Sequence, residues 1–262
     1  MRKNVKKQLA LRVLSTAALV AMVSSIATAA FAAEYNVAKG SVEIVAAGGE
    51  QRITQRDDTG AFVKDENGDI DHRLDSKIVL VTKNKDTGET ETTHNTVTID
   101  AEDGNTANVT LQDVHIETES SWNNTGSAPI EIKGNGDTNL ELNGDNTVLS
   151  GDRHHAAIEK ADKNGHGTLT IKDDLNDDNS TPKDKDENGN AAGGDTGKLL
   201  AGGYGDGAGI GGGFKDSTDL SYANTSNITI KGGEITARGG YEDSAGIGGG
   251  TYGPPPMPAL SS

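Results

Sequence analysis

The chain has 262 residues, a formal net charge of −16, no cysteine, 35 glycines and 3% aromatic residues. The charge makes nucleic acid and anionic lipid unfavourable partners, and the lack of cysteine excludes disulfides and thiolate chemistry. So few aromatic side chains indicate a thin core, unlike that of a compact globular enzyme.

Residues 1–32 have the pattern of a signal peptide. Basic residues come first, and an apolar run from Val13 to Ala33 follows, with Ala30 and Ala32 forming a small-x-small cleavage pattern. A membrane anchor is the alternative, because the run approaches the roughly 20 residues that span a bilayer. Cleavage before Ala33 predicts an extracellular or cell-surface protein without membrane insertion, since no later segment is apolar over that length.

Residues 33–94 are predicted to form an N-terminal cap and the first β turns. Alternating β-branched residues favour strands within 35–54, at 77–82 and at 96–99. The polar segment from Arg56 to Asp75 is predicted to be a loop.

Residues 95–250 contain four copies of one pattern, in which an alternating strand is followed by a turn and an Ala-x-Ile element. The strands read ANVTLQD, TNLELNGD, GTLTIKDD and SNITIKGG, and their inward positions begin at Val109, Leu140, Leu169 and Ile228. The later elements contain Ile130, Ile158, Ile210 and Ile247. One such copy cannot bury its own apolar face, so the copies are expected to stack in parallel.

The last two copies share a twelve-residue block, Gly202–Gly213 and Gly239–Gly250, with ten identical positions. Its glycines suit sharp corners between short strands. The predicted fold is all-β, a right-handed parallel β-helix with polar loop insertions. A β-propeller or a β-sandwich is the alternative, although both prefer larger apolar inner faces.

The unit SNITIKGGEITARGG, followed by SAGIGGG, resembles the Gly-rich repeats of surface proteins of Gram-positive bacteria. The resemblance covers about Asn95 to Gly250. Those repeats are in turn similar in style to secreted carbohydrate-binding right-handed β-helix domains. It implies adhesion or binding of an extracellular polysaccharide or host glycan. Residues 251–262 are Pro-rich and read as a tail or linker.

An acidic insert at 173–197 interrupts the third copy. Within it, Asp184, Asp186, Asn188 and Asp195 have the oxygen-ligand spacing of an EF-hand-type calcium loop. The last ligand is Asp rather than Glu, and the flanks do not look helical. Calcium is therefore a candidate cofactor, and a solvated acidic loop is the alternative.

The shared block suggests a binding face. Parallel stacking would place Tyr204 over Tyr241 and Asp206 over Asp243, and Trp122 precedes its own Ala-x-Ile element at a similar distance. Aromatic rings suit the C–H faces of sugars and carboxylates suit their hydroxyl groups. These five residues are the predicted ligand-binding set; the alternative is that the tyrosines only cover the turn glycines.

Histidines at 154, 155 and 166 invite a catalytic or metal-binding interpretation. If His154 and His155 lay in a strand they would face opposite sides, so surface histidines are the expectation. A polysaccharide-active, pectate lyase-like enzyme is the rival function, and a purely structural stalk is a third. No catalytic residue is predicted, because the paired Asp residues lie in the insert rather than on a rigid wall.

Overall fold

The computed structural model describes residues 33–84, 86–120, 126–175, 184–185, 191–192, 196–214, 221–241 and 243–251, which belong to one compact unit, Ala32–Ser262. Helix in these residues is limited to two single 3₁₀ turns, Val37–Lys39 and Asp162–Asn164. Nearly all other regular structure is strand. The prediction of an all-β protein is confirmed.

The described strands are short, and each has two to seven residues. In chain order they are β1 (Ala33–Asn36), β2 (Ser41–Ala47), β3 (Glu50–Arg56), β4 (Lys64–Asp65), β5 (Gly68–Asp69), β6 (Arg73–Leu74), β7 (Ile78–Val81), β8 (Val97–Ala101), β9 (Thr106–Gln112), β10 (His115–Glu117), β11 (Ile130–Gly134), β12 (Asp137–Asn143), β13 (Asp145–Leu149), β14 (Ile158–Glu159), β15 (Leu169–Lys172), β16 (Asp184–Lys185), β17 (Ala191–Ala192), β18 (Lys198–Gly202), β19 (Ile210–Gly211), β20 (Ile228–Ile230), β21 (Glu234–Arg238) and β22 (Ile247–Gly248).

Three sheets contain most of these strands. Sheet A has the order β1-β7-β9-β12-β15-β20, sheet B the order β10-β13-β18-β21, and sheet C the order β22-β19-β14-β11-β8-β2-β3-β6. From β9 onward the chain visits A, then B, then C, and begins again, with only the insert strands outside this order. One such pass is called a circuit below. Consecutive circuits pair in parallel in all three sheets.

Aliphatic side chains, buried except on the last strand of each column, form continuous columns across the strands. Inward residues of neighbouring strands lie directly opposite one another, so each column packs as a same-face ladder. The sheet A column is Ile78, Val109, Leu140, Ile171 and Ile230, and the sheet C column is Val42, Val97, Ile130, Ile158, Ile210 and Ile247.

The sheet A register differs from the sequence alignment by two residues. Leu140 is opposite Ile171, not opposite Leu169. A shift of two residues keeps the same side chains on the inner face, because the side-chain period of a strand is two. The hydrophobic pattern therefore fixes the face but not this step of the register.

The N-terminal part departs from a purely parallel arrangement, so sheet C is mixed. Strand β3 returns antiparallel to β2 through Gly48 and Gly49, both at positive φ, and β6 pairs antiparallel with β3. The prediction of a loop from Arg56 to Asp75 is wrong, because β4, β5 and β6 lie there and Ile70 is buried. The apolar residues Phe62, Val63, Ile70 and Leu74 are too widely spaced in this polar segment to give a periodic signal, which is why the pattern missed these strands.

The insert is closed at its base. The backbone N–H of Gly197 donates to Oδ2 of Asp173 at 3.3 Å, which brings the two ends of the insert together. Farther out, β16 and β17 pair antiparallel, with Asp184 opposite Ala192.

Candidate functional site

Four connections link sheets B and C, and hydrogen bonds between their described residues place 150–157, 203–209 and 239–246 at the same edge of successive circuits. The connections are residues 118–129, 150–157, 203–209 and 239–246, and in the sequence they include all five predicted ligand-binding residues. Trp122 lies outside the described residues. The other three connections, 150–157, 203–209 and 239–246, are called the aromatic corner below.

Backbone hydrogen bonds join successive connections of the aromatic corner. The N–H of Asp206 donates to the carbonyl of Arg153 at 2.8 Å, and the N–H of Gly240 donates to the carbonyl of Gly207 at 3.0 Å. Gly205 has a φ of 58°, and a Cβ there would lie 2.3 Å from Cγ of Arg153. Only glycine allows this approach, so Gly205 gives the side chains of this connection a tightly packed base.

Two tyrosines meet on this base. The ring centroids of Tyr204 and Tyr241 are 5.4 Å apart, with the ring planes at 80°, an edge-to-face contact. Tyr204 is half-buried, whereas 81% of Tyr241 is exposed to solvent. The stacking prediction is therefore right in bringing the two rings together, although they meet edge-on. Tyr241 presents an open aromatic surface that the neighbouring ring helps to orient.

The two predicted aspartates do not share one surface. The carboxylate of Asp206 is buried and its Oδ2 accepts a hydrogen bond from Nε of Arg153 at 3.0 Å. Asp243 is exposed and has a positive φ of 55°. Because the carboxylate of Asp206 is buried against Arg153, Asp243 alone of the pair is open to a ligand.

The histidines lie in a turn, so the argument from strand alternation does not apply to them. The ring of His154 stacks on Phe214 with centroids 5.7 Å apart. Nδ1 of His155 is 2.8 Å from Oε2 of Glu159, which is buried. Burial lowers the pKa of His155, but the hydrogen bond with Glu159 and the nearby carboxylates raise it more, so the pKa lies above its ordinary value. Both histidines thus have fixed partners and are not free surface groups.

His166 belongs to a different connection, between sheets C and A. Its backbone N–H donates to Oδ1 of Asn135, and its side chain is exposed. The structure therefore does not unite the three histidines in one site.

The buried acidic groups of the corner are engaged by the backbone. Asp152 accepts the N–H of His154 at 2.8 Å and of Gly126 at 3.0 Å, and Glu159 accepts the N–H of Ala156 at 3.2 Å. No group of three or more His, Asp or Glu side chains among the described residues is arranged to hold a metal ion. For the predicted calcium loop, Asp184 lies in β16, while Asp186, Asn188 and Asp195 are outside the described residues.

Sequence reasoning missed Arg153 and Phe214, which complete the corner. Arg153 had no acidic partner in the sequence pattern, because its partner is 53 residues away. Phe214 comes directly after the glycine block. This position was the one feature of the sequence that could have indicated that Phe214 packs beside the corner.

Comparison of the chain with protein-family models, curated proteins and solved structures gave no match. In the residues that the structure describes, no helix is long and apolar enough to cross a membrane.

Proposed function

We propose that this chain is an extracellular or cell-surface protein that binds a carbohydrate chain at the aromatic corner and acts in adhesion, without turnover. The observation that carries the proposal is Tyr241, a residue 81% exposed whose ring contacts that of Tyr204. The chain has only five tyrosines, three phenylalanines and one tryptophan, so an aromatic pair on the surface is unexpected without a partner.

The fold inferred for this function is a right-handed parallel β-helix with the mixed strands β3 and β6 at one end. Its support is the recurring order of sheets A, B and C together with parallel pairing between circuits. Parallel crossovers are right-handed in nearly all proteins, which favours that hand. Repeated circuits provide a long surface, which suits a ligand that is itself a repeating polymer.

The chemistry of the corner suits a neutral sugar. The ring of Tyr241 offers a face for sugar C–H groups, and the exposed Asp243 and the partly exposed guanidinium of Arg153 lie in the same corner to accept from or donate to hydroxyl groups. The net charge of −16 works against polyanionic polysaccharides. The signal-peptide pattern of residues 1–32 supports the extracellular location, and the repeat resemblance supports a surface protein.

The test is a glycan array followed by calorimetry on residues 33–262. The paired change Tyr204→Ala with Tyr241→Ala removes two rings worth about 1 kcal/mol each, so the dissociation constant should rise roughly thirtyfold. Phe62→Ala is the matched control, because that ring lies beneath the guanidinium of Arg56 in the N-terminal mixed part. Unchanged affinity in the double variant, or an equal loss in the control, would refute binding at the aromatic corner.

A further inference from the structure

The segment from Ile228 to Gly248 forms one outer edge of all three sheets. Strands β20, β21 and β22 are the terminal strands of sheets A, B and C, and all three come from the last circuit. The inner faces of these strands continue the core columns, but no further described strand pairs with them. Within the part of the chain that the structure describes, backbone donors and acceptors on this edge have no strand partner.

Core side chains are less covered on this edge than one circuit earlier. Ile228, Ile235 and Ile247 are only partly buried, whereas their register partners are almost fully buried. Those partners are Leu169, Leu199 and Ile210. Ile230 is 38% exposed, although Ile171 opposite it is buried. The last circuit thus exposes an apolar strip that an additional layer of strands would cover.

Charges on the outer face of sheet B indicate which strand fits there. Asp145, Lys198 and Glu234 lie in register on β13, β18 and β21, so the charges alternate along this row. Nζ of Lys198 is 3.3 Å from Oδ1 of Asp145. The next strand should present a cation opposite Glu234 and, four residues along, an anion opposite Arg238. Strand β21 itself meets both requirements when its direction is reversed.

We propose that two copies of this chain associate edge to edge, with β21 of each pairing antiparallel about a two-fold axis at Thr236. Glu234 of each copy then lies opposite Arg238 of the other on the outer face. Ile235 lies opposite Ala237 on the inner face. The same axis brings β20 of one copy beside β22 of the other, so all three sheets continue across the interface. This self-complementary contact is closed, as expected for a two-fold dimer.

The other edges do not offer an equivalent partner. Sheet C ends at its opposite edge in the antiparallel strands β3 and β6, so a head-to-tail stack would not find the same arrangement in all three sheets. Residues 252–262, which follow the last circuit, contain four prolines. Proline cannot donate a ladder hydrogen bond, which makes that segment a poor fourth layer. The proposal uses none of the side chains proposed to bind carbohydrate, although Tyr241 and Asp243 belong to the same last circuit.

A cysteine cross-link tests the geometry, because the chain has no cysteine of its own. Thr236→Cys places two thiols directly opposite each other, at a Cα separation of about 4.5–5.5 Å that permits a disulfide. Thr229→Cys on β20 is the matched control, since that residue faces β22 of the other copy and not itself. Oxidised Thr236→Cys should give a covalent dimer and Thr229→Cys should not. Equal cross-linking of both variants, or of neither, would overturn the proposal.

Charge reversal distinguishes antiparallel pairing of the two β21 strands from other modes of association between two copies. Glu234→Arg and Arg238→Glu should each raise the dimer dissociation constant by at least about tenfold in light scattering, because like charges then face each other. Mixing the two variants should restore the dimer, since both opposite-charge pairs form again in the mixed species. A monomeric wild-type chain at high concentration would overturn the proposal, as would a dimer that forms only after removal of residues 252–262. That last result would identify the tail as the occupant of the edge.

Discussion

Glu141 is a buried carboxylate whose protonation should control part of the stability. It lies on the outer face of β12, opposite Lys172 of β15, and only 3% of it is exposed because the start of the insert folds over it. Its Oε1 accepts the backbone N–H groups of Asp174 and Leu175, each at 2.8 Å. Its Oε2 is 3.3 Å from Nζ of Lys172.

Burial raises the pKa of Glu141 from 4.5 to about 7, and the hydrogen-bonded carboxyl of Asp174 contributes to the rise. Between these two values the folded chain binds more protons than the unfolded chain. The free energy of unfolding therefore falls as the pH rises through this window, and it levels off above pH 7. The separation of the two pKa values corresponds to about 3 kcal/mol.

The variant Glu141→Gln removes the titrating group but keeps a side chain that can accept both N–H groups. Urea unfolding at pH 5 and pH 8 should show roughly 2–3 kcal/mol less pH-dependent loss in Glu141→Gln than in the wild type, because pH 5 lies just inside the window. Glu43→Gln on β2 controls for the removal of one exposed charge. An equal loss of stability in the wild type and Glu141→Gln between the two pH values would refute the role of Glu141, as would a rise in the stability of the wild type through this window.

Three further results are expected. Gly165→Ala should lower the free energy of unfolding by about 3 kcal/mol in denaturant titrations, because its Cβ would lie 2.0 Å from a carbonyl oxygen of the preceding circuit. The control Gly104→Ala, at a positive φ but with open space around it, should lower it by about 1 kcal/mol. Equal losses in the two variants would contradict the close packing at Gly165. Millimolar calcium should raise the melting temperature modestly in calorimetry and Asp186→Asn should remove the effect, while an unchanged melting temperature without binding heat would exclude the ion. Reducing-end and unsaturated-product assays on pectins, xylans and host glycans should detect no cleavage, and turnover abolished by Asp152→Asn or His166→Ala would establish an enzyme instead.

The repeated strands could be predicted because their inward residues recur with a period of two at a regular spacing. The pairing of Ile130, Ile158, Ile210 and Ile247 follows directly from the Ala-x-Ile pattern. Sheet B was missed, since strands such as KLLAG and HIE are short and lack a shared signature. Contact between Tyr204 and Tyr241 was predictable from the repeated block, but their edge-to-face geometry was not.

Burial of charged side chains could not be predicted, because it depends on segments distant in sequence. Asp206 is buried through Arg153, which comes from the preceding circuit. Glu141 is on the face that alternation assigns to solvent, and it becomes buried only because residues after β15 fold back over it. Lys160 is another example: it is buried and its Nζ donates to the carbonyl of Gly165 at 3.1 Å. Burial lowers the pKa of this lysine.

The most direct test of carbohydrate binding at the aromatic corner is an NMR titration of the chain with selectively labelled tyrosine rings. An oligosaccharide found on the glycan array should shift the ring signals of Tyr204 and Tyr241, assigned by single Tyr→Phe changes. The signals of Tyr35, which is buried, and of Tyr222, which lies outside the corner, should stay in place. Unchanged signals of Tyr204 and Tyr241 under saturating ligand would contradict the account and place the binding surface elsewhere.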